Sequence, residues 1–159
     1  EPLTYYEYIY DIAKEAHEHG LWNILVSAGY INPKPLQELL PYIDAANIDL
    51  KAFSDTVYMH QCIGHLQPVL DTLLAMQKTG VHLEITNLLI PGVNDSEKMI
   101  REMCRWLVSN GFAQYPLHFS RFFPLYKMQN ASPTPKDTLY LAKRIALEEG
   151  MESIYLGNI

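Results

Sequence analysis

Ala46-Asn47-Ile48-Asp49-Leu50-Lys51 alternates apolar and polar residues with a period of two. Successive side chains of a strand point to opposite faces, so Asn47, Asp49 and Lys51 share one face. The same alternation occurs in Val81-His82-Leu83-Glu84-Ile85-Thr86 and in Leu117-His118-Phe119-Ser120. Amphipathic helices separate these strands. A strand–helix–strand–helix order is the signature of a parallel sheet. Parallel strands are usually apolar on both faces, because helices cover both. Here one face carries carboxylates, a lysine and histidines, which need water, a ligand or one another. A polar lumen in a partial barrel would use all of them.

Working outward, the first helix is expected from about Thr4 to His19, burying Tyr5, Tyr8, Ile9, Ile12, Ala13 and Ala16. A strand follows at Ile24–Ser27. Asn32 caps a short helix with Pro33 in its first turn and Leu36, Leu39, Leu40 and Ile43 facing inward. Further helices run from about Leu66 to Thr79, from a cap at Asp95 or Ser96, and from Thr134-Pro135. The third strand is Val81–Ile90, the fourth Leu117–Arg121 and the last Ile154–Leu156. Gly20, Gly80, Gly111 and Gly150 each end a helix and precede a strand. The fold expected is α/β, about five mostly parallel strands in one domain over residues 1–159. A complete eight-fold barrel needs about 250 residues, so the sheet is open or a cut piece of a barrel.

The bulk numbers narrow the function. The chain has 159 residues, 48% hydrophobic, 19% charged, with a net charge of −6. This is the composition of a globular protein and not of a disordered one. It lacks the basic patch that nucleic acid requires, and no apolar stretch approaches the ~20 residues of a membrane helix. Cys62 and Cys104 are the only cysteines, at a separation that fits no metal or redox motif. Cys104 sits beside Ile100 and Met103 on an apolar helix side and reads as a buried structural thiol. Few cysteines and no visible export signal point to a reducing cytoplasm.

Ligands of α/β sheets collect at the carboxyl ends of strands. Those exits are Ser27-Ala28-Gly29, Asp49-Leu50-Lys51, Leu89-Ile90-Pro91-Gly92, Ser120-Arg121-Phe122 and Gly157-Asn158. Asp49 and Lys51 pair with each other or with a ligand bearing its own charges. His82 and Glu84 bond to each other or line the cavity. His118 is either a satisfied structural group or part of a site. Leu88 to Ile90 could offer backbone N–H and C=O groups to an aromatic base, and Gly92 would let a ligand approach closely. His17 and His19 read as surface residues, and His60 and His65 lie near a turn.

Asn47-Ile48-Asp49-Leu50-Lys51, Leu89-Ile90-Pro91-Gly92-Val93-Asn94-Asp95 and His118-Phe119-Ser120-Arg121-Phe122-Phe123-Pro124, with Tyr126-Lys127-Met128, together resemble a radical S-adenosylmethionine enzyme. The group resembled is that of pyruvate formate-lyase activating enzyme and the AmmeMemoRadiSam branch, across the whole chain. The resemblance implies a partial (β/α)6 TIM-like barrel. It implies a 4Fe–4S cluster and S-adenosylmethionine, whose reductive cleavage gives a 5′-deoxyadenosyl radical for hydrogen abstraction. It implies cofactor contacts by Glu1 (the tail of a Gly-Gly-Glu-Pro element), Ser27, Asp49, Lys51, Leu89, Pro91, His118 and Arg121. A protein substrate such as the loop of a glycyl radical enzyme, and an electron donor such as flavodoxin or ferredoxin, are implied partners. The cluster triplet C-x3-C-x2-C is missing. The chain is therefore expected to be the carboxyl-terminal portion of such an enzyme, without the first strand and cysteine loop, and inactive alone. Two other classes stay open: a Schiff-base aldolase using Lys51, and a non-catalytic half barrel that binds a protein.

Overall fold

The computed structural model describes residues 1–159. Its order is α1 (Tyr6–Glu18), β1 (Ile24–Ser27), α2 (Pro33–Leu39), β2 (Ala45–Asp49), α3 (Asp55–Val57), α4 (Leu66–Gln77), β3 (His82–Leu89), α5 (Glu97–Ser109), β4 (Leu117–Arg121), α6 (Lys136–Glu148) and β5 (Ile154–Gly157). A 3-10 turn, Pro2–Tyr5, leads into α1, and a five-residue π-helix, Tyr58–Cys62, continues α3. The five strands form one sheet in the order β1-β2-β3-β4-β5, every pair parallel. This is the expected partial, TIM-like α/β sheet. Successive right-handed crossovers put consecutive helices on the same face.

The register confirms a two-faced sheet. Ser27, Ile48, Ile85, Leu117 and Ile154 stand level across the five strands. All five are buried. They belong to the phase that packs on the helices, with Leu25, Ala46, Leu83, Leu89 and Phe119. Leu39, Leu73, Met76, Ile100, Met103, Leu107, Leu139 and Ile145 close this core from the helix side. The other phase is bare. Ile24 is 66% exposed and Val26 is 63% exposed. Asn47, Asp49, His82, Glu84, Thr86, Leu88, His118, Ser120 and Tyr155 continue that face by register.

Several local expectations hold. Ser96 caps α5, accepting from the Met99 N–H. Gly20, Gly80, Gly111 and Gly150 follow helices with φ between 69° and 98°. Arg101 and Arg105 of α5 grip Glu149 beyond the end of α6, with N–H···O distances of 2.7 to 3.1 Å. Cys104 is fully buried, and burial pushes its thiol up to about 12.

Others need correction. On α1, Tyr5, Tyr8 and Ile12 are exposed, and the inward residues are Tyr6, Ile9, Tyr10 and Ala13. The tyrosine-rich sequence supports two stripes one position apart, and the Tyr6 hydroxyl decides between them by donating to the Pro35 carbonyl at 3.0 Å. Asn32 occupies the cap position of α2, yet its side chain makes no capping bond. α6 opens at Lys136, one residue after Pro135. Thr134 has another task, described below.

Candidate functional site at the strand exits

The site is built from the ends of four strands. At the exit of β1, Glu1 reaches across from the 3-10 turn. Its carboxylate accepts from the Ser27 hydroxyl at 2.7 Å, the Ala28 N–H at 2.8 Å and the Leu3 N–H at 3.1 Å. Partial burial raises its pKa, but these hydrogen bonds outweigh burial and hold the group below its ordinary value. Ser27 also accepts from the Gly29 N–H at 3.0 Å. Gly29 has φ +67°, and a Cβ there would lie 2.7 Å from Ile48 Cγ2, so the turn needs glycine.

At the exit of β2, Lys51 Nζ donates to Asp49 Oδ2 at 2.8 Å. The two side chains are 43% and 38% exposed. The backbone around this pair is held from below. Tyr58 is buried in the π-helix, and its hydroxyl accepts from the Lys51 N–H at 3.0 Å. Asn94 is buried and donates to the Lys51 carbonyl at 2.6 Å and to the Leu88 carbonyl at 2.8 Å, while accepting from the Ile90 N–H at 2.6 Å. One amide thus ties the exit of β2 to the exit of β3. Thr134 does the same between β3 and β4. It is fully buried, donates to the Leu89 carbonyl at 2.5 Å and accepts from the Phe122 N–H at 2.9 Å.

These ties engage part of the backbone at the β3 exit. The carbonyls of Leu88, Leu89 and Ile90 each accept a bond from the protein, and the Ile90 N–H is donated to Asn94. The Ile90 N–H is thus committed within the protein, while a carbonyl that accepts one bond keeps a second lone pair. The open parts are the half-exposed Leu88 side chain and Pro91-Gly92, where a Cβ on Gly92 would meet nothing within 4 Å.

The phase of each strand sorts the eight residues. Asp49 and His118 point to the bare face, and Lys51 joins them through its bond to Asp49. Ser27, Leu89 and Arg121 fall in the opposite phase, with the core. Leu89 is fully buried, so its side chain cannot line a ligand. Arg121 turns back at the rim: its Nε donates to the Thr134 carbonyl at 2.7 Å, and its guanidinium lies 4.9 Å from the Phe123 ring centroid. Glu1 and Pro91 sit at the rim outside the strands.

In the middle of the bare face, Glu84 joins two histidines. Its Oε2 is 2.8 Å from His118 Nε2 and its Oε1 is 3.3 Å from His82 Nε2. Burial raises the Glu84 pKa, but the two imidazoles outweigh it and the carboxyl lies below its usual range. The His118 ring stacks on Tyr155, with centroids 5.1 Å apart and planes at 20°. The bond between His82 and Glu84 was readable from the strand pattern. The bond to His118, 34 residues away, was not. His65 pairs with Asp55 at 3.0 Å and lies outside the site.

The cysteines do not fit an iron–sulfur cluster. Cys62 is exposed, Cys104 is buried, and desolvation pushes both thiols up, whereas cluster ligands are thiolates. No group of three or more His, Cys, Asp or Glu is placed to hold a metal ion. A groove of about 1190 Å3 lies at the opposite end of the strands between Trp22, Ile24, Ile43, Lys78 and His82. Its Asp44 is already taken by the Asn23 N–H at 2.6 Å. The convergent polar groups are at the exits, not there.

A domain of pyruvate-formate lyase-activating enzyme from Bacteroides vulgatus superposes with a TM-score of 0.84, 99% of this chain on 94% of that one, at 21% identity. In sequence, pyruvate formate-lyase-activating enzyme of Clostridium pasteurianum is 30% identical over 105 residues, 65% of this chain and 43% of the relative. The chain resembles the activating enzymes, in fold and in sequence. An uncharacterised protein of Methanocaldococcus jannaschii is 40% identical over all 159 residues, 47% of its own length. The chain thus spans less than half the length of either curated relative. The chain matches no protein-family model. No helix is long and apolar enough to cross a membrane.

Proposed function

We propose that this chain is the carboxyl-terminal portion of a radical S-adenosylmethionine enzyme of the activating type, and that its strand exits hold the amino-acid and ribose ends of S-adenosylmethionine. The observation that supports this is the placement of opposite charges at adjacent exits: the Glu1 carboxylate at β1 and the Asp49–Lys51 pair at β2. A zwitterionic amino acid with a vicinal diol needs such a set. Glu1, held ionised by three donors, would face the ammonium. Lys51 would face the carboxylate, and Asp49, released from Lys51, would accept from the ribose hydroxyls. Leu88 and Pro91-Gly92 offer an apolar border for adenine. When bound and reduced, the cofactor supplies a carbon-centred radical that abstracts hydrogen. The cysteines for its 4Fe–4S cluster would come from outside these 159 residues, so the chain alone should not turn over. A polypeptide loop is the proposed substrate, and a flavodoxin or ferredoxin the proposed electron donor.

An exposed ammonium paired with a carboxylate speaks against the aldolase reading. A Schiff-base lysine needs a desolvated, unpaired amine.

The test is a titration of the 159-residue chain with S-adenosylmethionine, followed by NMR. Resonances of Ala28, Asp49, Lys51 and Gly92 should move together, and Lys51→Ala or Asp49→Asn should weaken binding about tenfold, the loss of one charge-assisted bond. Saturating ligand that leaves all four unmoved would end the reading.

A further inference from the structure

Glu84 and Tyr155 are not among the cofactor contacts proposed above, and His118, which the resemblance places among them, is held by both. They stand on the bare face, where a parallel sheet would ordinarily be covered. By register, Asp49, Thr86, His118 and Tyr155 form one row across β2 to β5. Adjacent strands are ~4.8 Å apart, so His118 lies about 10 Å along that row from the backbone of Asp49.

The imidazole is fixed on two sides. Glu84 Oε2 holds Nε2 at 2.8 Å, and the Tyr155 ring stacks at 20°. An ionised carboxylate only accepts, so Nε2 carries the proton and donates. In the neutral ring Nδ1 is then a bare lone pair, and no protein group bonds to it. A carboxylate that sets the tautomer of a histidine and leaves the second nitrogen as an acceptor is a recurring device for contacting substrate. Holding a half-exposed ring in this way costs side-chain entropy, which solvation alone would not require.

The charges on this face narrow the ligand. Asp49 is matched by Lys51, and Glu84 is shared by His82 and His118. Both Glu84 oxygens and the Lys51-bonded oxygen of Asp49 are already engaged within the protein. The acceptor therefore suits a neutral N–H donor.

We infer that His118 Nδ1, oriented by Glu84 and Tyr155, accepts a hydrogen bond from a backbone amide N–H of the polypeptide substrate, an inference that rests on the activating-type function proposed above. Glu84 and Tyr155 are positioning residues and His118 makes the contact. Thr86, the neighbour in the row, has its hydroxyl proton committed to Asn47 Oδ1 at 2.8 Å, so it cannot donate to the ligand.

The experiment uses the 159-residue chain with 15N-labelled histidine and the blocked peptide acetyl-Gly-Gly-Gly-amide as probe. Peptide should shift the His118 Nδ1 resonance in a saturable way. An analogue with the amides replaced by esters, which lacks the donor, should bind at least tenfold more weakly. His118→Gln keeps an acceptor and should retain affinity within about threefold, while His118→Leu should lose tenfold or more. Melting temperatures within a few degrees of the parent would show that both variants fold. An unmoved His118, equal binding of the ester analogue, or equal loss in the Gln and Leu variants would each overturn the inference. If S-adenosylmethionine still moves Asp49 and Lys51 in that event, the cofactor reading stands without it. If neither ligand binds, both fail.

Discussion

Asn94 uses both N–H groups and one oxygen lone pair of its amide to join chain positions 43, 6 and 4 residues away. Removing it leaves the carbonyls of Lys51 and Leu88 and the N–H of Ile90 without partners in a buried place. Each orphaned group costs roughly 1–3 kcal/mol before relaxation or water entry. Asn94→Ala should therefore lose about 3 kcal/mol in urea unfolding, and S-adenosylmethionine titration of the still-folded variant should show weaker binding, since Lys51 hangs from that carbonyl. Glu84 gives a pH prediction. Its folded pKa is depressed below the unfolded carboxyl value of about 4.3. The unfolded chain then binds the proton more tightly. The contribution is present above about pH 4.3 and is lost as pH falls through the lower folded value. Urea midpoints from pH 6 to 3 should fall less steeply for Glu84→Gln than for the parent. Equal slopes would mean that the imidazoles do not stabilise the ionised form. Asp49, Lys51, Glu84 and His118 were legible because period-two alternation puts them on one face. Asn94 and Thr134 were not, because a side chain that bonds a carbonyl 40 residues away leaves no local signal. Ser27, Leu89 and Arg121 came from their place at strand exits and from the resemblance, whereas alternation puts them in the opposite phase.

At the scale of elements, the strands and main helices follow from alternation, caps and glycines, while the irregular pieces do not. The segment from Asp55 to Cys62 has no amphipathic period to announce a π-helix. It ends at Ile63, which is 93% exposed with φ +54°. A β-branched residue in left-handed backbone is strained by about 1–2 kcal/mol. Asparagine tolerates that conformation, so Ile63→Asn should raise stability by about 0.5–1 kcal/mol, read as a higher urea midpoint at unchanged slope. A loss would show that the exposed isoleucine packs against something. Two glycines of similar φ behave differently. Gly29→Ala adds a clash with the buried Ile48 to the backbone strain and should cost about 2–4 kcal/mol. Gly92→Ala faces open space and should cost only about 1 kcal/mol.

At the scale of the molecule, five parallel strands carry helices on one face and bare the other. The sequence announces this for β2 and β3, where every ionisable side chain falls in one phase. It does not announce that Ile24 and Val26 of β1 belong to the bare phase, since β1 is apolar on both sides. A strand apolar on both faces normally signals cover on both. That makes β1 the place to test the layering. Val26→Lys puts a charge on the bare face and should change stability by no more than about 0.5 kcal/mol, as for an exposed position. Ile48→Ala, one strand over and facing the helices, should cost about 3 kcal/mol by opening a cavity in the core. Sedimentation of both variants and the parent separates the two ways the expectation can fail. If Val26→Lys destabilises and also dissociates a dimer of the parent, a second copy covers the face. If it destabilises a monomer, the bare phase is folded against the chain itself and the sheet does not have the open side on which Asp49, Lys51 and His118 meet.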